Sequence, residues 1–176
     1  MKDITVLIAD DHAILRKGLR LLLEFEEGIA VVGEAADGRG AVRLARKLKP
    51  DVVIMDIAMP LLGGIEATRE IRRELPATHV LVVSATPDEH QVREALKAGA
   101  SAYVAKHTSL PNVPTAVREV AAGNTFVGVL GKDARLDLRR QRISQALAQL
   151  GFAGAVREES EEGMREGGMR GSERTG

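Results

Sequence analysis

Asp10 and Asp11 follow directly on the apolar run Val6-Leu7-Ile8-Ala9, and Asp56 follows Val52-Val53-Ile54-Met55. Ser84 ends a further run, Val80-Leu81-Val82-Val83, and Lys106 closely follows another, Ala102-Tyr103-Val104. If these runs are parallel strands of one sheet, the five side chains gather at its carboxyl edge, where open sheets of this kind form their sites. Three carboxylates at one edge repel one another and raise one another's pKa. A hard divalent cation relieves that repulsion, and an all-oxygen donor set points to magnesium. Asp56, at the end of a fully apolar run, is the best-positioned carboxylate. Lys106 supplies a point charge for Asp56 or for an anion, and Ser84 supplies one hydroxyl donor. A carboxylate nucleophile surrounded by magnesium, an ammonium and a hydroxyl suits a phosphoryl group.

The elements that must position these groups are legible in the pattern. Continuous apolar runs at Ile4–Ala9, Ile29–Val32, Val52–Met55, Val80–Val83 and Ala102–Val104 suit strands buried on both faces. Between them the apolar residues take helical spacing: Ile14, Leu15, Leu19, Leu22 and Leu23; Val42, Leu44, Ala45 and Leu48; Ile65, Thr68, Ile71 and Leu75; Val92, Ala95 and Leu96; Val113, Ala116, Val117 and Val120. Asp37 and Asp88 are placed to cap helix starts, and Gly28 and Gly99 to follow helix ends. Pro50, Pro76 and Pro87 fall between elements. Alternating strands and helices, each crossover returning to the same edge, predict a doubly wound α/β fold with a five-stranded parallel sheet and helices on both faces.

Composition narrows the function classes. Net charge is zero, which argues against a basic nucleic-acid footprint over the whole chain. The absence of cysteine excludes disulfides, thiolate metal sites and thiol catalysis. Aromatic residues make up 2%, too few for a base-stacking platform. No apolar run approaches the ~20 residues of a membrane span, and the first residues do not read as a signal peptide, so the expectation is a cytoplasmic protein without membrane contact. Half of the 18 glycines fall after residue 127. The expected organisation is a domain over residues 3–127, a linker with an amphipathic helix over 128–152, and a disordered Gly/Glu/Arg-rich tail over 153–176.

Four segments in order, Val6-Leu7-Ile8-Ala9-Asp10-Asp11-His12, Val53-Ile54-Met55-Asp56-Ile57-Ala58-Met59-Pro60, Leu81-Val82-Val83-Ser84-Ala85 and Ala98-Gly99-Ala100-Ser101-Ala102-Tyr103-Val104-Ala105-Lys106, resemble a response-regulator receiver domain of bacterial two-component systems, of the NarL/LuxR type. The resemblance implies a flavodoxin-like strand order 2-1-3-4-5. It implies Asp56 as phosphoacceptor for a sensor histidine kinase. It also implies Asp10, Asp11, Asp56 and the backbone carbonyl of Ala58 as magnesium ligands, and Lys106 as the contact to the phosphoryl oxygens. Ser84 and Tyr103 are the implied switch pair, Tyr103 filling space that Ser84 vacates. The implied chemistry is self-phosphorylation and self-dephosphorylation of an aspartyl phosphate, with no turnover of an external substrate. A homodimer is an implied assembly. Relatives of this type continue into a DNA-binding domain of roughly 60 residues, whereas 49 residues follow position 127.

Taken singly, each residue has a plainer reading. Asp10 and Asp11 serve as a helix cap, Asp56 is a loop acid, Ser84 is structural, Lys106 is a solvated lysine, and Tyr103 is a core aromatic with a bonded tip. His12, His79, His90 and His107 have no metal-ligand spacing and read as surface or helix-start residues. Gly38-Arg39-Gly40 lacks the third glycine of a dinucleotide fingerprint. Two alternatives stand beside the switch. One is a DNA-binding transcription regulator whose output domain is truncated or divergent. The other is a hydrolase using an aspartyl phosphate, disfavoured because Ala58 occupies the position where haloacid-dehalogenase-like enzymes carry a second acid.

Overall fold

The computed structural model describes residues 2–85, 88–106 and 110–128, with positions 145, 148 and 149. Apart from those three positions and Gly128, the expected linker helix over 128–152 and the tail over 153–176 lie outside the described residues, as do Pro87 and His107. The elements run β1 (Ile4–Ala9), α1 (Ala13–Glu24), β2 (Ile29–Ala35), α2 (Gly38–Leu48), β3 (Val52–Asp56), α3 (Gly64–Glu74), β4 (His79–Ser84), α4 (Glu89–Lys97), β5 (Ala102–Ala105), α5 (Val113–Ala121) and β6 (Phe126–Gly128). A short 3-10 turn, Leu110–Asn112, leads into α5.

All strand pairings are parallel and the order is β2-β1-β3-β4-β5-β6. The expected order 2-1-3-4-5 is present, and the sheet carries a sixth strand that the sequence pattern did not reveal. Three residues are too few for a periodic signal. Phe126 and Val127 are nonetheless buried, and the pair Val104↔Gly128 brings the chain alongside β5. The second strand also runs three residues beyond Val32. Gly33 and Glu34 interrupt the apolar run, yet both pair with β1, past a register shift between Val6 and Leu7.

Alternation along the buried strands divides the core in two. Val6, Ile8, Ile54, Leu81, Val83, Ala102 and Val104 face Leu19 and Leu23 of α1 and Val113, Ala116, Val117 and Val120 of α5. Leu7, Ala9, Val53, Met55, Val80, Val82 and Tyr103 face Ala41, Val42 and Ala45 of α2, Ala67 and Ile71 of α3, and Val92, Ala95 and Leu96 of α4. Two helices, α2 and α4, start at the caps that the sequence predicts. The Asp37 carboxylate accepts from the Gly40 amide at 2.7 Å, and Asp88 from the Gln91 amide at 2.8 Å. Gly99, after α4, takes φ +101°, where a side chain would be strained. Gly28 (φ +77°) comes later than expected. α1 ends at Glu24, and Gly28 turns the chain into β2.

Candidate functional site

The carboxyl edge of the sheet gathers the predicted residues. Asp56 is the last residue of β3, Asp10 follows β1, Ser84 is the last residue of β4 and Lys106 follows β5. All four are buried; Asp10 is fully excluded from solvent and Lys106 is only 7% exposed. Lys106 Nζ lies 2.7 Å from Asp10 Oδ2 and 3.0 Å from Asp56 Oδ2, so one ammonium bridges two carboxylates drawn from strands on either side of the chain crossover. Neither Oδ2 has a hydrogen bond of proper geometry, although each is ion-paired with Lys106. Buried carboxylate lone pairs left in this condition are costly.

Burial pushes the Asp56 carboxyl above its ordinary range. The Lys106 ammonium works against that shift, Asp10 adds to it, and the Ala58 amide, donating to Asp56 Oδ1 at 3.4 Å, lowers it slightly. Asp11 is more open, with its side chain 35% exposed. Donor atoms of Asp10, Asp11, His12 and Asp56 lie within 4.8 Å of one another, a spacing that suits a cation. The clustered hard-oxygen donors of the aspartates, two of them buried, fit a metal such as magnesium.

His12 is a contact the sequence reading missed. It stands at the helix start, as expected, on the N-terminal boundary of α1 and largely exposed. Its Nδ1, however, is 3.1 Å from Asp10 Oδ1 and 2.9 Å from Asp11 Oδ1. Arg16 is a second such residue: its guanidinium donates to the Asp10 carbonyl at 2.6 Å and pairs with Glu34 at 3.5 Å, clamping the strand end that presents Asp10. Gly64 is a third. A Cβ at that position would collide with the Asp56 carbonyl, so only glycine lets α3 start against the end of β3.

Ser84 and Tyr103 share a partner that comes from α4. Ser84 Oγ donates to Gln91 Oε1 at 3.2 Å, and Tyr103 Oη donates to the same atom at 3.4 Å. Tyr103 is fully buried. Burial pushes its hydroxyl up to about 12, while the neighbouring Ser84 side chain pulls the other way. The ring thus lies within the core, with its hydroxyl directed at α4.

Residues 6–118 match the response regulator receiver domain family. The chain belongs to that family. The receiver is 41% identical over 124 residues to the response regulator GacA of Pseudomonas aeruginosa, covering 70% of this chain and 58% of that protein. It is 40% identical to the transcriptional regulatory protein DegU of Brevibacillus brevis, covering 70% of this chain and 52% of that one. Among solved structures it is similar to a LuxR-family two-component response regulator from Aurantimonas sp. SI85-9A1, with a TM-score of 0.72, 35% identity, and coverage of 84% of this chain and 99% of that one. The receiver's relatives are response regulators of the NarL/LuxR type, and the chain spans little more than half the length of the curated relatives it matches. Among the described residues, no helix is long and apolar enough to cross a membrane.

Proposed function

We propose that this receiver is a phosphorylation switch in which Asp56 accepts a phosphoryl group from the phosphohistidine of a sensor histidine kinase. The observation that carries the reading is the buried bridge of Lys106 between Asp10 and Asp56. It brings a nucleophilic carboxylate, a fixed cation and a second acid together at the carboxyl edge.

Asp10, Asp11 and Asp56, with the Ala58 backbone carbonyl, would hold magnesium. When bound, that ion neutralises charge on the entering phosphoryl group. The Asp56 carboxylate attacks phosphorus; one Asp56 oxygen bonds to it as the phosphorus–nitrogen bond of the donor imidazole breaks and the electron pair returns to the ring. Lys106 then exchanges its contact with the Asp56 carboxylate for the phosphoryl oxygens. Ser84 adds its single proton donor to them. Tyr103 already lies inside, so the change beside it is the loss of Ser84 as the second donor to Gln91 rather than a change in the burial of its ring. The readout is a population shift of the surface formed by α4, β5 and α5. Self-dephosphorylation returns the switch to its starting state, and no external substrate is turned over.

The test is magnesium-dependent labelling by acetyl phosphate, followed by intact mass. The parent gains one phosphoryl group, chelator abolishes the gain, and Lys106→Ala weakens the switch without a large loss of magnesium affinity. An unlabelled parent, or labelling indifferent to magnesium, would falsify the reading. The match to a transcriptional regulatory protein favours a second, longer-range reading, in which the switch governs a DNA-binding output. A gel shift with the full chain at physiological salt tests it. A salt-resistant, sequence-selective complex supports it, and binding no tighter than to random DNA rejects it.

A further inference from the structure

Gln91 lies in the first turn of α4, three residues beyond the Asp88 cap that fixes its amide. Its side-chain oxygen is the shared acceptor for the two hydroxyls behind the acceptor site, Ser84 Oγ and Tyr103 Oη. A carbonyl oxygen has two lone pairs, so both bonds are satisfiable at once. Ser84, however, has one proton. It can donate to Gln91 or to a phosphoryl oxygen on Asp56, but not to both.

We infer that Gln91 is a positioning residue that holds the Ser84 hydroxyl away from Asp56 in the unmodified protein, making α4 the competitor of the phosphoryl group for one hydrogen bond. The inference rests on the reading of Asp56 as the phosphoacceptor. Its physical content is an exchange. When Ser84 turns to the phosphoryl group, Gln91 loses one of its two donors, and Tyr103 is left as the sole hydroxyl holding α4 to the sheet edge. The start of α4 is then tied to β5 rather than to both β4 and β5. The same competition sets the affinity of the site, because the bond to Gln91 must break before Ser84 can contribute. One neutral hydrogen bond is worth about a fivefold change in an equilibrium.

The chain has one tyrosine and no tryptophan, so emission excited beyond the phenylalanine absorption band reports on Tyr103 alone. Trifluoroberyllate, which mimics a phosphoryl group on a carboxylate, is titrated into the full chain with magnesium. The dissociation constant is read from Tyr103 emission and checked by calorimetry. Gln91→Leu removes the acceptor at similar volume, and Gln91→Asn withdraws the amide by one methylene while keeping its polarity. Each is expected to tighten trifluoroberyllate binding about fivefold. If the leucine variant does not fold, the asparagine variant carries the same test. In a Ser84→Ala background the gain is expected to vanish, a coupling that a purely structural role for Gln91 does not produce. Unchanged affinity in the folded Gln91 variants, or a gain that persists without the Ser84 hydroxyl, overturns the inference. If the parent fails to bind the probe, or Asp56→Asn binds it equally well, the failure belongs to Asp56 as acceptor.

Discussion

Asp51 and Asp56 stand at the two ends of β3, and the protein treats them in opposite ways. Asp51 precedes the strand at the amino edge of the sheet. Its Oδ2 accepts from the Thr5 amide at 2.8 Å and the Thr5 hydroxyl at 2.6 Å, while its own amide donates to Thr5 Oγ1 at 2.9 Å. Burial pushes the Asp51 carboxyl up, but the two Thr5 donors outweigh it and hold the group below its usual range. Asp56, at the carboxyl edge, is more deeply buried, has an Oδ2 without a proper hydrogen bond, and is pushed upward. One end of the strand ties its carboxylate into the fold through Thr5. The other keeps bonding capacity in reserve, as reactive groups do.

The contrast is breakable, first in the chemistry. Asp56→Asn is expected to abolish labelling by acetyl phosphate, whereas Asp51→Asn labels like the parent; intact mass after equal exposure decides it. A labelled Asp56 variant or a silent Asp51 variant would erase the distinction. Next in size is Gly64→Ala. The added methyl meets the Asp56 carbonyl, and a loss of about 3 kcal/mol in denaturant unfolding is expected. An unaffected midpoint would mean that the start of α3 yields freely.

Smaller effects distinguish the aspartates by sign, measured in chelator without magnesium. Asp51→Asn is expected to lose about 2 kcal/mol near pH 7, since it weakens charge-assisted bonds to Thr5. The Asp51 pKa is depressed in the folded state, so its contribution is present above the ordinary carboxylate range and lost as pH falls through the depressed value. The gap between parent and variant therefore closes in acid. Asp56→Asn is expected to gain about 1 kcal/mol near pH 7, because it removes a buried, incompletely satisfied charge. The Asp56 pKa is raised, so the parent recovers as pH falls through that raised value and the gain disappears. Urea titrations at several pH values measure both; two variants shifting in the same direction would refute the account.

Much of this arrangement was legible in the residues. The apolar runs gave the strands because a strand buried on both faces admits little else, and parallel connection placed their polar sequels at one edge. Asp37 and Asp88 announced their helices because a cap needs only a short polar side chain at the right step. What stayed hidden depends on reach and close approach. Gln91 sits among polar residues on α4, and nothing in its spacing tells how deep its amide extends. His12 reads as a helix-start residue, and only the folded turn sets its ring against Asp10 and Asp11. Gly64 follows another glycine in what reads as an ordinary loop; the carbonyl it accommodates belongs to a residue eight positions earlier.

The short last strand has a practical consequence. β6 covers the flank of β5, which carries Tyr103 and leads to Lys106. A shortened chain that stopped before Phe126 would leave those amides and carbonyls unpaired and ready to template pairing with another molecule. Anyone trimming this protein for crystallisation should cut beyond Gly128, or association measured afterwards will report a raw seam left by the scissors rather than the behaviour of the intact molecule.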